Sequence, residues 1–576
     1  MSKEILFSRN YYFSESLGND SWSGTMAYPN SNRTDGPKKS LTAFNTLINS
    51  VAQASDSFLL RRNDSWIGTT GIQLSAAQGL PTQYIYIGSY DRGELPIINL
   101  NSAGEVLLCR GSLNKSTSYI RISDLHLTSN TPFANAPTGV IINEAFYTNF
   151  PHHIISSGLK VTNCKSGMIL YQHNIIVEKC HFFNNGNQST GQGIFATVKN
   201  LTIKDCVLDS NGCGSGFVHS LYISNCDTVT IEGNEILRAD DGLKLRKSRN
   251  AVVRKNSIHH NHIHTLHAGG DNAGGLLNVI IENNYIYNSP QGIELKSESG
   301  NQVDFTENVI VRNNIVEGSL TLSNTSPFKN VGIYNNLFYN RTTQNALGYI
   351  LCTNSSTVQI SNNIFFKTSN NTSQPLLYYQ SSSNLQACQL AHNLYYVANS
   401  NNNIFGIGNT SYRTLDLFKA AYINQEVNSS SGNPNFKSNS DFHLSSGSVL
   451  CIDKGMSQTG LVNLDFDFQI RPKDGDGNGF AQWDIGPYEY ERPTLIDNFN
   501  IDKLKISYSP NPVTNNLILH NTSNCQLVEI RNIKGEIIYS STSCQSIDLS
   551  LLNQGIYLLR IFSEGKLVFQ DKIIKI

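Results

Sequence analysis

Four copies of one six-residue pattern constrain this chain more than any other feature. They are His219-Ser-Leu-Tyr222-Ile-Ser224, Asp241-Gly-Leu-Lys244-Leu-Arg246, His264-Thr-Leu-His267-Ala-Gly269 and Gln291-Gly-Ile-Glu294-Leu-Lys296. In each copy a small residue precedes alternating apolar and polar positions, the period-2 signature of a strand with one buried face. The copies start 22, 23 and 27 residues apart, so each fits one coil of a repeating solenoid. Leu221, Ile223, Leu243, Leu245, Leu266, Ile293 and Leu295 then point inwards. The polar residues stack outwards in columns, with neighbouring strands about 4.8 Å apart. One column reads His219, Asp241, His264, Gln291; the next reads Tyr222, Lys244, His267, Glu294; a third reads Ser224, Arg246, Gly269, Lys296.

The pattern also occurs upstream without ionisable groups, in Thr138–Asn143, Ser166–Tyr171 and Gln192–Thr197. Chemistry is therefore concentrated on a few consecutive coils, as expected of a site grafted onto a scaffold. A second repeat runs through Val177-Glu-Lys-Cys180, Ile203-Lys-Asp-Cys206, Ile231-Glu-Gly-Asn234, Val253-Arg-Lys-Asn256, Ile281-Glu-Asn-Asn284, Val311-Arg-Asn-Asn314, Ile333-Tyr-Asn-Asn336 and Ile360-Ser-Asn-Asn363. The fourth-position Asn predicts a stacked ladder of side-chain amides, each both donor and acceptor. Cys180 and Cys206 interrupt it at the early end. Residues 11–105 read as a cap and the first coils. Leu41, Phe44, Leu47, Ile48 and Val51 have helical spacing behind Ser40 as N-cap, which predicts a short helix covering the open end of the solenoid.

Composition narrows the class further. The 576 residues carry a formal net charge of -1 and only 15% charged side chains, so no overall field steers the chain to nucleic acid or membrane. No run of about 18 apolar residues reads as a membrane span. Met-Ser-Lys-Glu-Ile-Leu is too short and polar for a signal peptide, so the expectation is that an export signal has been removed. None of the 11 cysteines forms a C-x-x-C pair. Cys164, Cys180, Cys206 and Cys226 read as small buried residues, and Cys525 could bridge Cys544.

These features resemble the right-handed parallel β-helix of pectate-lyase-like carbohydrate enzymes. The opening Tyr11–Gly24, the runs Asp56–Trp66 and Tyr84–Tyr90, and the closing Asp484-Ile-Gly-Pro-Tyr-Glu489 carry the resemblance. It implies a β-helix over 1–490, on a scaffold that hosts hydrolases, lyases, epimerases and adhesins. After a linker at 491–507, Tyr508-Ser-Pro-Asn-Pro512, Val528–Gly535, Gly555–Arg560 and Lys572–Ile576 closely resemble the C-terminal sorting domain of the Type IX secretion system. That resemblance implies a small β-sandwich over 508–576, engagement of the secretion machinery, and a secreted or cell-surface protein. A capped solenoid has no need to associate, so a monomer is expected.

The columned cluster mixes His and Tyr with carboxylates and cations, the setting in which pKa values are usefully perturbed. Asp241 and Glu294 form a carboxylate pair two coils apart, about 9.6 Å from strand spacing, near the upper end of the roughly 6.5–9.5 Å inverting-glycosidase range. The first expectation is endo hydrolysis of an anionic polysaccharide such as a sulfated fucan or carrageenan. Asp241 would act as base or nucleophile, held ionised by nearby cations, and Glu294, His264 or His219 would be the acid. Tyr222, Lys244, Arg246, His267, Asp271 and Lys296 would bind substrate, with Asp271, in an insertion beside the cluster, either reaching over the groove or only solvating a loop. The alternative is β-elimination of a uronate, with Lys244, His267 or Tyr222 as base and Arg246 or Lys296 over the carboxylate. Ser323 stands where the resemblance would place a further arginine. A non-catalytic glycan-binding helix is the third reading.

Asp240 reads as a turn residue, and His152 and His153 as surface histidines. Asp474-Gly-Asp476-Gly-Asn478-Gly resembles the first half of a calcium loop, but Ile485 stands at the acidic twelfth position. A Gly-rich turn is the better expectation; no cofactor and no catalytic metal are expected, with structural calcium as the alternative.

Overall fold

The computed structural model describes residues 8–112, 115–143, 149–186, 191–214, 218–269, 275–297, 305–324, 326–340, 346–351, 356–369, 374–399, 401–492, 506–520, 522, 525–532, 536–563 and 566–576. Contacts divide the chain into two units, Met1–Tyr490 and Glu491–Ile576. Most of the linker expected at 491–507 lies outside the described residues.

Among the described residues of the first unit, strands that are parallel except for Thr410–Tyr412 stack into one sheet of 26 strands and another of 14. Together they form a right-handed parallel β-helix. One coil is made by His219–Ser224, Asp227–Glu232 and Glu235–Leu237, and the next by Asp241–Arg246, Arg249–Arg254 and Ser257–His259. The inward residues named from the sequence are all buried in one continuous apolar core. Small residues at the second position of the pattern have a steric cause. A Cβ on Gly242 would meet Thr265 O at 2.6 Å and Asn261 Nδ2 at 2.8 Å.

The amide ladder exists. Nδ2 of Asn234, Asn256, Asn284, Asn314, Asn336 and Asn363 each donates to Oδ1 of the Asn one coil on, at 2.9–3.2 Å, ending at Asn393. Glu426 closes it, its Oε2 accepting from Asn393 Nδ2 at 3.4 Å. At the early end Cys206 donates only its backbone N–H to Asn234 Oδ1, at 3.0 Å. Cys164, Cys180, Cys206 and Cys226 are buried thiols.

The cap is the helix Leu41–Val51, with Ser40 accepting from the backbone N–H of Ala43 and Leu41, Phe44 and Ile48 buried. At the other end, residues 433–490 fold back along the outside of the coils. Asn283, Asn313 and Asn335 donate to backbone carbonyls of Asp465, Leu464 and Asp484 at 3.0, 2.6 and 2.9 Å. The closing Asp484–Glu489 motif anchors this segment. Asp484 accepts the N–H groups of Asp453 and Tyr490, and Glu489 those of Lys473 and Asp484.

In the second unit, three antiparallel strands (Ser507–Ser509, Asn516–His520, Ser546–Asp548) face four others (Ile537–Ser541, Leu527–Arg531, Gly555–Ser563, Lys566–Lys575). Val513, Leu517, Val528, Ile530, Ile547, Leu559, Ile561 and Ile573 form its core. Cys525 and Cys544 form a disulfide.

Candidate active site

The four strands of the repeated pattern pair in the register read from the sequence. His219 lies opposite Asp241 and Asp241 opposite His264, while Tyr222, Lys244, His267 and Glu294 follow one another in the next column. Gln291 precedes the strand Ile293–Ser297 rather than joining it. Asp271 lies outside the described residues.

Asp241 is buried, 3% exposed, with a histidine on each side. Its Oδ2 lies 3.2 Å from His219 Nε2, and its Oδ1 lies 2.8 Å from His264 Nδ1. The backbone N–H of His264 donates to the same Oδ1 at 3.2 Å. Burial alone would push the Asp241 carboxyl up, but hydrogen bonds from His219 and His264 overturn that and hold it well below the usual carboxylate range. Nearby cations are expected to lower it, and the two histidines are the groups that do so. The bond to Asp241 in turn raises the His264 pKa against the effect of burial.

His264 is the member of this group that reaches the surface, 27% exposed at its side chain. Its Nε2 lies 3.9 Å from Glu294 Oε2, and His267 Nδ1 lies 3.7 Å from the same oxygen. That oxygen is buried and accepts no hydrogen bond. Lys296 Nζ stands 3.7 Å from Glu294 Oε1. Beneath them Lys244 Nζ lies 3.0 Å from Nδ1 and 3.3 Å from Nε2 of His267, both residues buried. Arg246 donates to the Tyr222 hydroxyl at 3.2 Å, and Tyr222 stacks on His219 with ring centroids 4.7 Å apart. Asp240, on the turn before Asp241, accepts from Gly214 N–H at 2.7 Å and lies 3.0 Å from His262 Nδ1.

Two residues outside the expected set belong to this cluster. Gln192 Oε1 lies 2.5 Å from the backbone N of His219 and 3.2 Å from its Nδ1. Phe195 packs edge-on against Tyr222 at 5.4 Å. Both sit on a coil read from sequence as scaffold alone. Their signal was register: Phe195 falls in the Tyr222 column, one coil earlier.

Donor atoms of His264, His267 and Glu294 lie within 4.8 Å of one another, a set of ligand types that suits a divalent metal. Lys244 touches both nitrogens of His267, and its amine opposes a cation there. Asp453 brings a third carboxylate to Asp474 and Asp476, again within 4.8 Å. Asp474 already accepts N–H bonds from Gly477, Asn478 and Gly479, and Asp453 from Asp476 and Gln482. These carboxylates thus hold the Gly-rich turn closed through its own backbone.

Residues 215–365 match the family model described as right handed beta helix region, and residues 508–576 match the secretion system C-terminal sorting domain. That domain marks the chain as secreted or cell-surface by the type IX route. No curated protein matches the chain. Among solved structures it is similar to the GH136 lacto-N-biosidase from Eubacterium ramulus, at 15% identity and TM-score 0.40 over 69% of this chain; it spans 65% of that one. It is also similar to pectate lyase Pel9A, at 13% identity and TM-score 0.40 over 85% of this chain and 98% of that one. A third is the PL6 family alginate lyase AlyGC, at 13% identity and TM-score 0.44 over 62% of this chain and 51% of that one. These are likenesses of fold.

Proposed function

We propose that this exported β-helix protein is an enzyme that cleaves an anionic polysaccharide, with His264 as the group that moves the proton. One observation carries the reading: a buried carboxylate, Asp241, holds Nδ1 of His264 at 2.8 Å, which leaves Nε2, 3.9 Å from Glu294 Oε2, as the ring nitrogen for proton transfer on a side chain that is 27% exposed. A carboxylate sealed behind two histidines orients an imidazole; it does not attack a sugar. Asp241 is therefore a positioning residue in this proposal rather than the base or nucleophile.

The chemistry that suits such a base is β-elimination on a uronate. His264 Nε2 takes the proton α to the sugar carboxylate, and that electron pair forms the C4–C5 double bond. The C4–O4 bond breaks, and the leaving oxygen takes a proton from solvent. Charge that builds on the carboxylate is countered by Lys296 and Arg246, which the third column brings to the same face. Ser323 sits opposite Lys296 on the following coil, so on this reading Lys296 and Arg246 supply the cations by themselves. Endo hydrolysis is the second reading, supported by Glu294 Oε2, which is buried, accepts no hydrogen bond and stands 3.9 Å from His264 Nε2. Glu294 would then be the acid, and a sulfated polymer the fitting substrate.

Digestion of uronate-containing and sulfated polysaccharides tests both, following reducing ends together with the ultraviolet absorbance of an unsaturated uronate. Both signals rising together is the expected result. Reducing ends without absorbance would move the assignment to hydrolysis, and silence across the panel would leave a glycan-binding helix.

A further inference from the structure

Beside the catalytic face, the backbone of successive coils passes through one column of left-handed residues. Asn174, Asn200, Thr228, Asn250, Asn278, Asn308 and Asn330 follow one another there, with φ between 50° and 64°. Asn tolerates this conformation because its short polar side chain bonds locally. Here the amides bond from coil to coil, as from Asn200 Nδ2 to Asn174 Oδ1 at 2.6 Å and from Asn278 to Asn250 at 3.0 Å.

The same column continues towards the N-terminus as His153 and Tyr119, both at φ 55°. His153 holds the position with its Nδ1 2.6 Å from Nδ1 of His152, whereas Tyr119 brings a bulky ring to a backbone conformation that such residues rarely adopt. Their rings stack on each other, with centroids 4.5 Å apart and planes at 21°. His152 stacks on His173 of the next coil at 5.2 Å and 11°, and Tyr84 meets Tyr119 edge-on at 5.7 Å. All five rings are half-buried. Burial, then the neighbouring histidines, lower the pKa of His152 and His153, which favours the neutral form of these rings.

The patch is not isolated. His173 stands two residues beyond Tyr171 on one long strand, Tyr171 meets Phe195 at 6.0 Å, and Phe195 meets Tyr222 of the catalytic cluster. At the corner between the two faces, Tyr171, Lys199, Asp227 and Arg249 line a cavity of about 400 Å³. Aromatic faces attract the weakly positive C–H groups of a sugar ring, and the flanking amides and cations suit its hydroxyl and acid groups.

We propose that Tyr119, His152, His153 and His173 form a second glycan-binding platform, outside the catalytic cluster, that holds the polymer on the N-terminal coils. The proposal rests on the polysaccharide reading above for its choice of ligand, and its test is one of binding rather than turnover.

The double variant Tyr119→Asn/His153→Asn installs the residue that later coils carry in this column, so the backbone path is kept. Affinity electrophoresis through gels cast with alginate, polygalacturonate or ι-carrageenan reads binding to each polymer directly. Retardation of the wild type by at least one gel is expected, weakened about tenfold in apparent Kd for the variant through lost stacking. The variant should unfold at the same or a higher temperature, and cut short oligosaccharides with unchanged kcat/KM. Equal retardation of variant and wild type overturns the platform, as does a wild type that no gel retards. His264→Ala run in the same gels separates the two readings. If the wild type cuts nothing yet both it and His264→Ala are retarded through Tyr119 and His153, the platform stands and the enzymatic reading falls.

Discussion

Asp241 Oδ1 and His264 Nδ1 face each other at 2.8 Å across adjacent coils, and the His264 backbone N–H donates to the same oxygen. The imidazole is thus fixed by its ring and by its own main chain. His219 holds the other carboxylate oxygen, and Gln192 holds His219. A line of three coils thus fixes the ring of His264, with Nε2 as its other nitrogen, 3.9 Å from Glu294 Oε2.

Replacing His264 by Ala should therefore cost about 10²–10⁴-fold in kcat, the usual share of a positioned acid–base group. Asp241→Asn should lower kcat less than that while leaving KM for the polymer nearly unchanged. Steady-state kinetics on the polymer that the digest identifies would decide it. An Ala variant retaining most of its turnover would remove His264 from the chemistry.

The pH dependence has a defined sign. As a base, His264 must be deprotonated, and its partner raises its pKa above 6.5. The rate should climb with pH through a midpoint above the ordinary imidazole value, and Asp241→Asn should bring that midpoint down. Stability follows the same pair. The raised His264 contributes fully below about 6.5 and loses its contribution as pH rises through its folded value. The lowered Asp241 contributes fully above about 3.8 and loses it as pH falls. Thermal unfolding of wild type minus Asp241→Asn should therefore differ most between about pH 4 and 6.5. A difference flat across that range would contradict the assignment.

Much of this was legible because a β-helix turns sequence period into space. Once the repeat is fixed, pairing of Asp241 with His264 and of His267 with Glu294 is arithmetic, and so is the amide ladder. Three things escaped. Lys244 bonding His267 depends on how long side chains bend, which register does not determine. The packing of residues 433–490 against Asn283, Asn313 and Asn335 has no period to read. The stacking of His153 on Tyr119 depends on a left-handed turn that those residue types do not announce.

The amide ladder should be worth more than its individual bonds. Asn314 Oδ1 accepts from both the backbone N and Nδ2 of Asn284, while Asn314 Nδ2 donates to Ile281 O, Arg312 O and Asn336 Oδ1. Asn314→Ala leaves several of these buried groups without partners, at about 1–3 kcal/mol each before relaxation. A loss of about 3 kcal/mol in denaturant unfolding is expected. A loss below about 0.5 kcal/mol would mean the ladder is ornament on a fold held by its apolar core.

One outward column alternates in sign: Glu178, Lys204, Glu232, Arg254, Glu282, Arg312 on successive coils. The ion pairs it makes include Lys204–Glu178 at 3.0 Å, Arg254–Glu232 at 2.8 Å and Arg312–Glu282 at 2.6 Å. Each is partly exposed and weak alone, about 0.2–1 kcal/mol. Their order matters more, because like charges on neighbouring strands oppose the pairing. Glu282→Lys would set a cation between Arg254 and Arg312, while Glu282→Gln removes the attraction alone. Glu282→Lys should lose about 1 kcal/mol more than Glu282→Gln at low salt, with the gap closing as salt screens the column. Arg312 also donates to the carbonyl of Leu461 in the folded-back segment. Limited proteolysis should therefore cut within 433–490 sooner in Glu282→Lys than in Glu282→Gln. Equal cutting of the two variants would show that the column does not help hold that segment.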